Sequence, residues 1–301
     1  MNIPRDHHFI PAFYLKQWAD QSGKLIEYTL KHGKLISKPI GPRKTGYQTD
    51  LYTFSELPPE AAQYLEQEFF DYADRTASLA LDNHLGTRAL PWTDELINAW
   101  SRFVVAIDIR HPDTMPELRA KVQQIWNARG VTAQKLYNKI KGPEEPASVD
   151  EYLATRDHLI AAKMRVNMIV AALDNDIVLT QVNRMKWAVL DLSASPERLL
   201  TSDRPLLYFR LGHPNGEITL PLSPTKLFVA EHDSARIAAF KTEKPCVLVR
   251  GCNNFVATRA RRFVWSCDQS QERFVRNNMS TKLEPTPLLP FGRYETTREA
   301  E

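Results

Sequence analysis

The sequence predicts an α+β fold laid out in three consecutive zones, and three observations carry that prediction. An alternating stretch near the N-terminus turns at His32-Gly33, and a long central stretch repeats its apolar residues every three or four positions. The last third breaks into short β-favouring runs separated by Pro, Gly, Asn and Ser. The zones run 1–54 (motif helix and β-hairpin), 55–176 (helical bundle) and 177–287 (antiparallel sheet with a helix). They are read as one domain over 1–287, followed by a flexible tail over 288–301, where Pro, Thr and Glu dominate.

Taken in order, Phe9-Ile10 reads as extended and Pro11 as the first turn of a short helix, where its missing N–H is not needed. Tyr14, Leu15 and Trp18 then share one face. Lys24 to Leu30 alternates, Lys31-His32-Gly33-Lys34 turns, and Leu35-Ile36 resumes, which is a hairpin pattern. Leu51-Tyr52-Thr53-Phe54 reads as a further strand. From Pro58-Pro59 the period becomes helical, and Leu65, Phe69, Tyr72-Ala73 and Ala80 predict a helix to about Asn83 after an acidic start at Glu60. Thr93 caps a second helix whose stripe is Leu96-Ile97, Trp100, Phe103-Val104 and Ile107, closed by Pro112. A third runs from about Met115 to Asn127. A fourth follows the Gly142-to-Pro146 loop, with Ser148 as cap and Leu159, Val166, Ile169-Val170 and Leu173 on its buried side. In the last zone, 186–192, 206–209, 218–220 and 226–230 read as strands of one antiparallel sheet. Val247 to Ala260 returns to helical spacing, and Arg262 to Ser266 reads as a closing strand.

A chain of 301 residues is long enough to bury a full core. Hydrophobic and charged fractions of 43% and 25% are those of globular proteins and exclude wholesale disorder. A net charge of +3 tolerates an anionic partner without demanding one. Cys246, Cys252 and Cys267 are an odd count with no Cys-x-x-Cys spacing, so neither a disulfide framework nor a zinc module is indicated. No apolar run approaches the roughly 18 residues of a membrane span, and Met1 to Asp6 is polar. These features are read as those of a soluble, cytoplasmic protein with no membrane partner.

The stretch His8-Phe9-Ile10-Pro11-Ala12-Phe13-Tyr14-Leu15 resembles the opening of a widespread microbial family of domains of unknown function, numbered four-two-three-eight, whose pattern is His-[Phe/Tyr]-[Ile/Val]-Pro-x-x-Tyr-Leu. The resemblance continues at Lys44-Thr45-Gly46, Asp50-Leu51-Tyr52, Arg110-His111-Pro112 and Thr201-Ser202-Asp203-Arg204-Pro205. It ends with Pro221-Leu222-Ser223-Pro224, Asn253, Ala260 and Phe263-Val264, and so spans nearly the whole chain. Arg204 stands where the family pattern suggests Asn. The resemblance implies a bacterial source and supplies no activity, substrate or cofactor.

Four residues emerge as site candidates, each with a structural alternative. His8, beside His7, suits a general base, a general acid or a metal ligand near neutral pH, or else a hydrogen bond that fixes the start of the first helix. Two adjacent histidines on a regular strand point to opposite faces, which argues against both binding one ion. Asp203 lies in a loop between strand-like runs, where Pro205 keeps Arg204 out of the helical region; it is a catalytic carboxylate or an Asx-turn acceptor. Arg110 closes an apolar helix and could clamp an anion, although a cation is favoured there by the helix dipole anyway. Asn253 competes with the helix backbone around it, so its amide faces a ligand or a neighbouring loop.

If these four converge, the expected chemistry is hydrolysis of a phosphoester or other anionic substrate. His8 and Asp203 would be the catalytic pair, with a divalent metal as a candidate cofactor, and Arg110 and Asn253 would hold the substrate. The alternative is a non-enzymatic binding or sensing module, perceptible in Arg259, Arg261 and Arg262 beside Phe263 and Trp265, which could meet nucleic acid. There is no Gly-rich phosphate loop, no Gly-x-Ser-x-Gly and no His-Glu-x-x-His, which removes the usual nucleotide-hydrolysing, α/β-hydrolase and zincin readings.

Overall fold

The N-terminal zone of the computed structural model consists of β1 (Asp6–His8), α1 (Ala12–Leu15), β2 (Leu25–Lys31), β3 (Lys34–Ile40) and β4 (Tyr47–Thr49). The structure describes residues 5–54, 57, 62, 64–156, 159–209 and 213–279, so the expectations for Pro58-Pro59, Glu60 and the tail beyond 287 lie outside the described residues. Pro11 takes extended angles one position before α1, and a single 3₁₀ turn, Lys16–Trp18, continues that helix. His32 and Gly33 both have positive φ, 50° and 75°, which is the type I′ geometry that lets the β2–β3 hairpin keep its twist. The strand expected at Leu51 to Phe54 is instead a turn. The strand lies just before it, at β4, which pairs with β1 in the register His7 to Gln48 and His8 to Tyr47. The apolar run of Leu51, Tyr52 and Phe54 is buried because those side chains plug the core beneath the turn.

The central zone holds α2 (Asp71–Leu85), α3 (Asp94–Ile109), α4 (Thr114–Ile140), α5 (Val149–Arg156), α6 (Ile160–Leu173) and α7 (Asp176–Arg184). A π-helical segment, Leu65–Phe70, leads into α2, and Gly86 at φ 73° ends it in the left-handed conformation that glycine adopts without strain. Thr93 caps α3 by accepting from the Leu96 N–H at 3.3 Å. The third helix is far longer than expected, passing Asn127 and Gly130 to reach Ile140. The expected fourth helix is two, α5 and α6, and α7 is an addition set off by Asn175, whose side chain accepts from the Ile177 and Val178 N–H groups. Ser148 caps α5 as expected, accepting from the Glu151 N–H at 3.1 Å.

The C-terminal zone contains β5 (Lys186–Asp191), β6 (Thr201–Ser202), β7 (Leu207–Phe209), β8 (Glu217–Ser223), β9 (Lys226–Glu231), α8 (Ser234–Thr242), α9 (Pro245–Arg259), β10 (Val264–Ser266) and α10 (Glu272–Asn278). An antiparallel sheet of order β5-β9-β8-β7 confirms the expected strands, and the α+β class with them. The closing strand, however, joins a second four-stranded sheet. There the order is β3-β2-β10-β6, so the N-terminal hairpin is extended by two C-terminal strands. Helices α8 and α10 had no apolar periodicity long enough to announce them.

One buried cluster draws on all three zones, with Phe9, Tyr14 and Trp18 packed among Trp100, Phe103, Ile107, Leu220, Phe228 and Trp265. Removing a side chain such as Phe9 from water contributes on the order of 2 kcal/mol. The polar tips of the first helix are also satisfied across the chain. The Tyr14 hydroxyl meets the Pro221 carbonyl at 2.7 Å and Thr201 Oγ1 at 2.9 Å, and Trp18 Nε1 donates to the Leu199 carbonyl at 2.8 Å. These contacts set β1 and the segment after it against the end of α3 and the β6 loop.

Candidate functional site

Strand alternation separates the two histidines. His7 is fully buried, stacks on Tyr52 with ring centroids 5.4 Å apart, and its Nδ1 accepts from the Tyr52 N–H at 2.9 Å. His8 faces the other way, against the ring of its cross-strand neighbour Tyr47, and its Nε2 is buried with no hydrogen-bond partner. Burial lowers the His8 pKa, and the nearby charge of Arg110 lowers it further, so the imidazole is neutral at physiological pH.

Arg110 follows directly on α3 and is almost completely buried. Its two terminal nitrogens grip Asp74 at 2.8–3.0 Å, its guanidinium lies 4.4 Å over the Phe70 ring, and its carbonyl accepts from the Tyr52 hydroxyl at 2.8 Å. Nε of Arg110 is left without a hydrogen-bond partner. A further carboxyl group, that of Glu66, completes this cluster with Asp74. Burial pushes Glu66, on the π-helical segment, up to about 8, against the opposing pull of Arg110, and its Oε2 is also unpartnered. Burial likewise raises Asp74 to about 6. Glu66 is therefore a protonated acid at neutral pH, whereas Asp74 is the ionised partner of Arg110. Glu66 and Phe70 lie four residues apart on the π-helical segment and so share one face of it.

The next residue opens a second polar cluster on the far side of Phe9, whose ring meets that of His111 edge-on at 5.4 Å. His111 is fully buried, and its Nδ1 accepts from the Asp113 N–H at 3.1 Å and from Arg204 at 3.2 Å. With Nδ1 accepting, Nε2 carries the ring proton, and Asp203 Oδ2 lies 3.7 Å from it, beyond hydrogen-bond length. Asp203 is fully buried and spends its carboxylate on the backbone. Oδ1 accepts from the Arg261 N–H at 2.9 Å, and Oδ2 accepts from Arg262 at 2.5 Å and from Phe263 at 3.2 Å. Asp108 is buried beside Arg259, 3.6 Å away, with neither oxygen hydrogen-bonded, and burial raises its pKa. Arg204, Arg261 and Arg262 reach toward the half-exposed carboxylate of Asp113 at 3.8–3.9 Å.

Of the four sequence-derived candidates, His8 and Arg110 come together. Asp203 belongs to the neighbouring cluster, where its Oδ2 lies 3.7 Å from His111, whose ring meets that of Phe9, the residue after His8. Asn253 lies apart from both clusters. Its Oδ1 accepts from the Leu200 N–H, and its Nδ2 donates to the Arg198 carbonyl and to Gln271, so the amide is fully engaged in holding the 198–200 loop. Among the described residues no group of three or more His, Cys, Asp or Glu side chains is placed to hold a metal ion. The nucleic-acid reading loses most of its patch as well. Trp265 is fully buried, Arg259 donates to the Leu206 carbonyl at 2.9 Å, and Arg261 is largely covered. The sequence reading missed Glu66, Asp74 and Asp108; the available signal was acidic residues falling on the apolar row Glu66, Phe70, Ala73, Ala77 and on the stripe of α3.

Over residues 6–270 the chain matches the family described as Protein of unknown function (DUF4238). It belongs to that family. No curated protein and no solved structure matches the chain. In this DUF4238 protein the remaining motif residues interlock as scaffold. Gly46, at φ 67°, lets its carbonyl receive the Phe9 and Ile10 N–H groups, and a Cβ there would come within 3.1 Å of the Ile10 oxygen. Thr45 joins Glu27 to the indole N–H of Trp265. The DUF4238 chain carries free cysteines at Cys246, Cys252 and Cys267, and among its described residues no helix is long and apolar enough to cross a membrane.

Proposed function

We propose that the protein hydrolyses a small phosphoester or related anionic substrate at the Arg110–His111 corner. The observation that supports this reading is the concentration there of buried polar atoms without hydrogen-bond partners: His8 Nε2, Glu66 Oε2, Arg110 Nε, His111 Nε2, Arg204 Nε and both Asp108 oxygens. Folded proteins leave few such atoms, and clusters of them mark places where a ligand or ordered water completes the bonding. In this reading neutral His8 takes the proton of the attacking water and the Glu66 carboxyl gives its proton to the departing oxygen, so the reaction balances without an added reductant or oxidant. Arg43, exposed beside His8, meets the incoming anion, and burial, aided by the charge of Arg110, keeps His8 deprotonated. Asp203 and Asn253 act as positioning residues through the segments they tie down.

Turnover of p-nitrophenyl phosphate and bis-p-nitrophenyl phosphate between pH 5 and 9 tests this, the range being roughly that over which these groups titrate. The expected profile is a bell, falling on the acid side as His8 protonates below the ordinary imidazole value and on the alkaline side as Glu66 ionises near 8. His8→Ala and Glu66→Gln should each lower the rate by about 100-fold while both variants still fold, His8→Ala with stability changed by no more than about 1 kcal/mol. Absence of turnover in the parent protein, or equal rates in the variants, would sink the proposal. A second reading, a binding module without catalysis, is favoured by the internal engagement of Arg110, Asp203 and Asn253, and it would then stand.

A further inference from the structure

A cavity of 380 Å³ lies at the C-terminal end of α2, lined by His84, Trp92, Ile97, Asn183, Met185 and Trp187 among others. It is remote from the Arg110 corner on the same helix, since Asp74 is in the first turn and His84 in the last, roughly 15 Å away at 1.5 Å per residue. Its size falls within the range of small-molecule sites. The walls are aromatic. The His84 ring lies 4.6 Å from Trp92 and from Trp100, 5.2 Å from Phe228 and 5.9 Å from Trp187, and Trp92 meets Trp187 nearly at right angles.

Two features of this box are not explained by packing alone. The Nε2 of His84 is buried and unpartnered, and the indole N–H of Trp100 behind it is unpartnered too. Buried nitrogens in that condition are costly unless something else satisfies them. Trp92, in addition, is 42% exposed, leaving a large apolar face in solvent at the rim. Opposite, Asn183 is held rigidly by Ser101 at 2.5 Å and Asn98 at 2.7 Å.

We propose that this cavity is a second binding site, taking an uncharged, planar nitrogen heterocycle of purine size that stacks on one tryptophan, abuts the other edge-on and hydrogen-bonds His84. Perpendicular tryptophans suit a flat ring, which offers a face to one and an edge to the other. Aromatic boxes also bind alkylammonium ions, but no carboxylate is among the residues lining this one to balance a positive charge. Burial holds His84 down to about 4, so the imidazole is uncharged at neutral pH and can accept or donate a single hydrogen bond, as a heterocycle with both functions requires.

Isothermal titration calorimetry of the full chain with adenine, and separately with tetramethylammonium, distinguishes the two. Saturable adenine binding is expected, weakened about tenfold or more in Trp92→Ala, Trp187→Leu and His84→Leu and unchanged in Glu66→Gln, while tetramethylammonium gives no saturable heat. Trp92→Ala alters an exposed side chain and keeps the test meaningful even if a more buried variant fails to fold. The proposal is overturned by three outcomes: no adenine binding at about 1 mM, equal affinity in the parent protein and Trp92→Ala, or tighter binding of tetramethylammonium than of adenine. The Glu66→Gln result separates this site from the hydrolytic one, because loss of adenine binding there would mean that the ring sits at the Arg110 corner instead.

Discussion

Three backbone N–H groups converging on the Asp203 carboxylate make that side chain a knot between the β6 loop and the segment leading into β10. Asp203→Ala leaves those donors without their charged acceptor and should cost about 3 kcal/mol, read as a drop in thermal unfolding temperature. The histidine pair gives a sharper comparison. His7→Ala unpairs the Tyr52 N–H and removes a stacked ring, for a loss of about 1–3 kcal/mol, whereas His8→Ala should stay within about 1 kcal/mol. Equal melting temperatures for the two single variants would contradict this division of roles. Alternation alone sends the two histidines to opposite faces but does not say which one turns inward. That depends on the register with β4, a strand located a few residues away from where β-propensity suggested one. Asn253 was legible as a residue needing a partner, while the identity of that partner was set by loops remote in sequence.

At the scale of elements, periodicity located the long helices and failed where side chains rewrite their own stop signals. Asn127 reads as a C-terminus, yet Gln123 donates to Asn127 one turn on at 2.8 Å and Gln134 repeats the pattern with Asn138 at 2.7 Å, which supports the helix through the weak point. A methyl group at Gly130 would meet no described residue outside its own helix within 4 Å, so Gly130→Ala should stabilise the protein by about 1 kcal/mol, or roughly 2 °C in Tm. A lower Tm in that variant would mean that α4 is not continuous there. The π-helical segment before α2 had no signature in the sequence at all, since it differs from an α-helix by hydrogen-bond offset and not by composition.

For the whole molecule, two buried groups pull stability in opposite directions with pH. Glu66 is raised in the folded state from 4.5 to about 8, so its contribution is present below 4.5 and is lost as pH rises through 8. His84 is lowered from 6.5 to about 4, so its contribution is present above 6.5 and is lost as pH falls through 4. Thermal unfolding followed from pH 4 to pH 9, which is roughly the span of both titrations, should show Glu66→Gln flattening the alkaline side and His84→Leu flattening the acid side. Identical profiles for parent and variants would show that neither group titrates as its burial requires. The sheet containing β10 carries a consequence of another kind. Strand β2 is an interior strand only because β10 lies beside it, and Tyr28 meets Ser266 across 238 residues of chain. During vectorial synthesis at roughly 5–20 residues per second, the hairpin therefore leaves the ribosome many seconds before its neighbour is made, with one row of backbone groups open to strangers. A nascent chain stalled short of Val264 is a species with a sticky edge, and chaperone capture of such intermediates should cease once that strand has emerged.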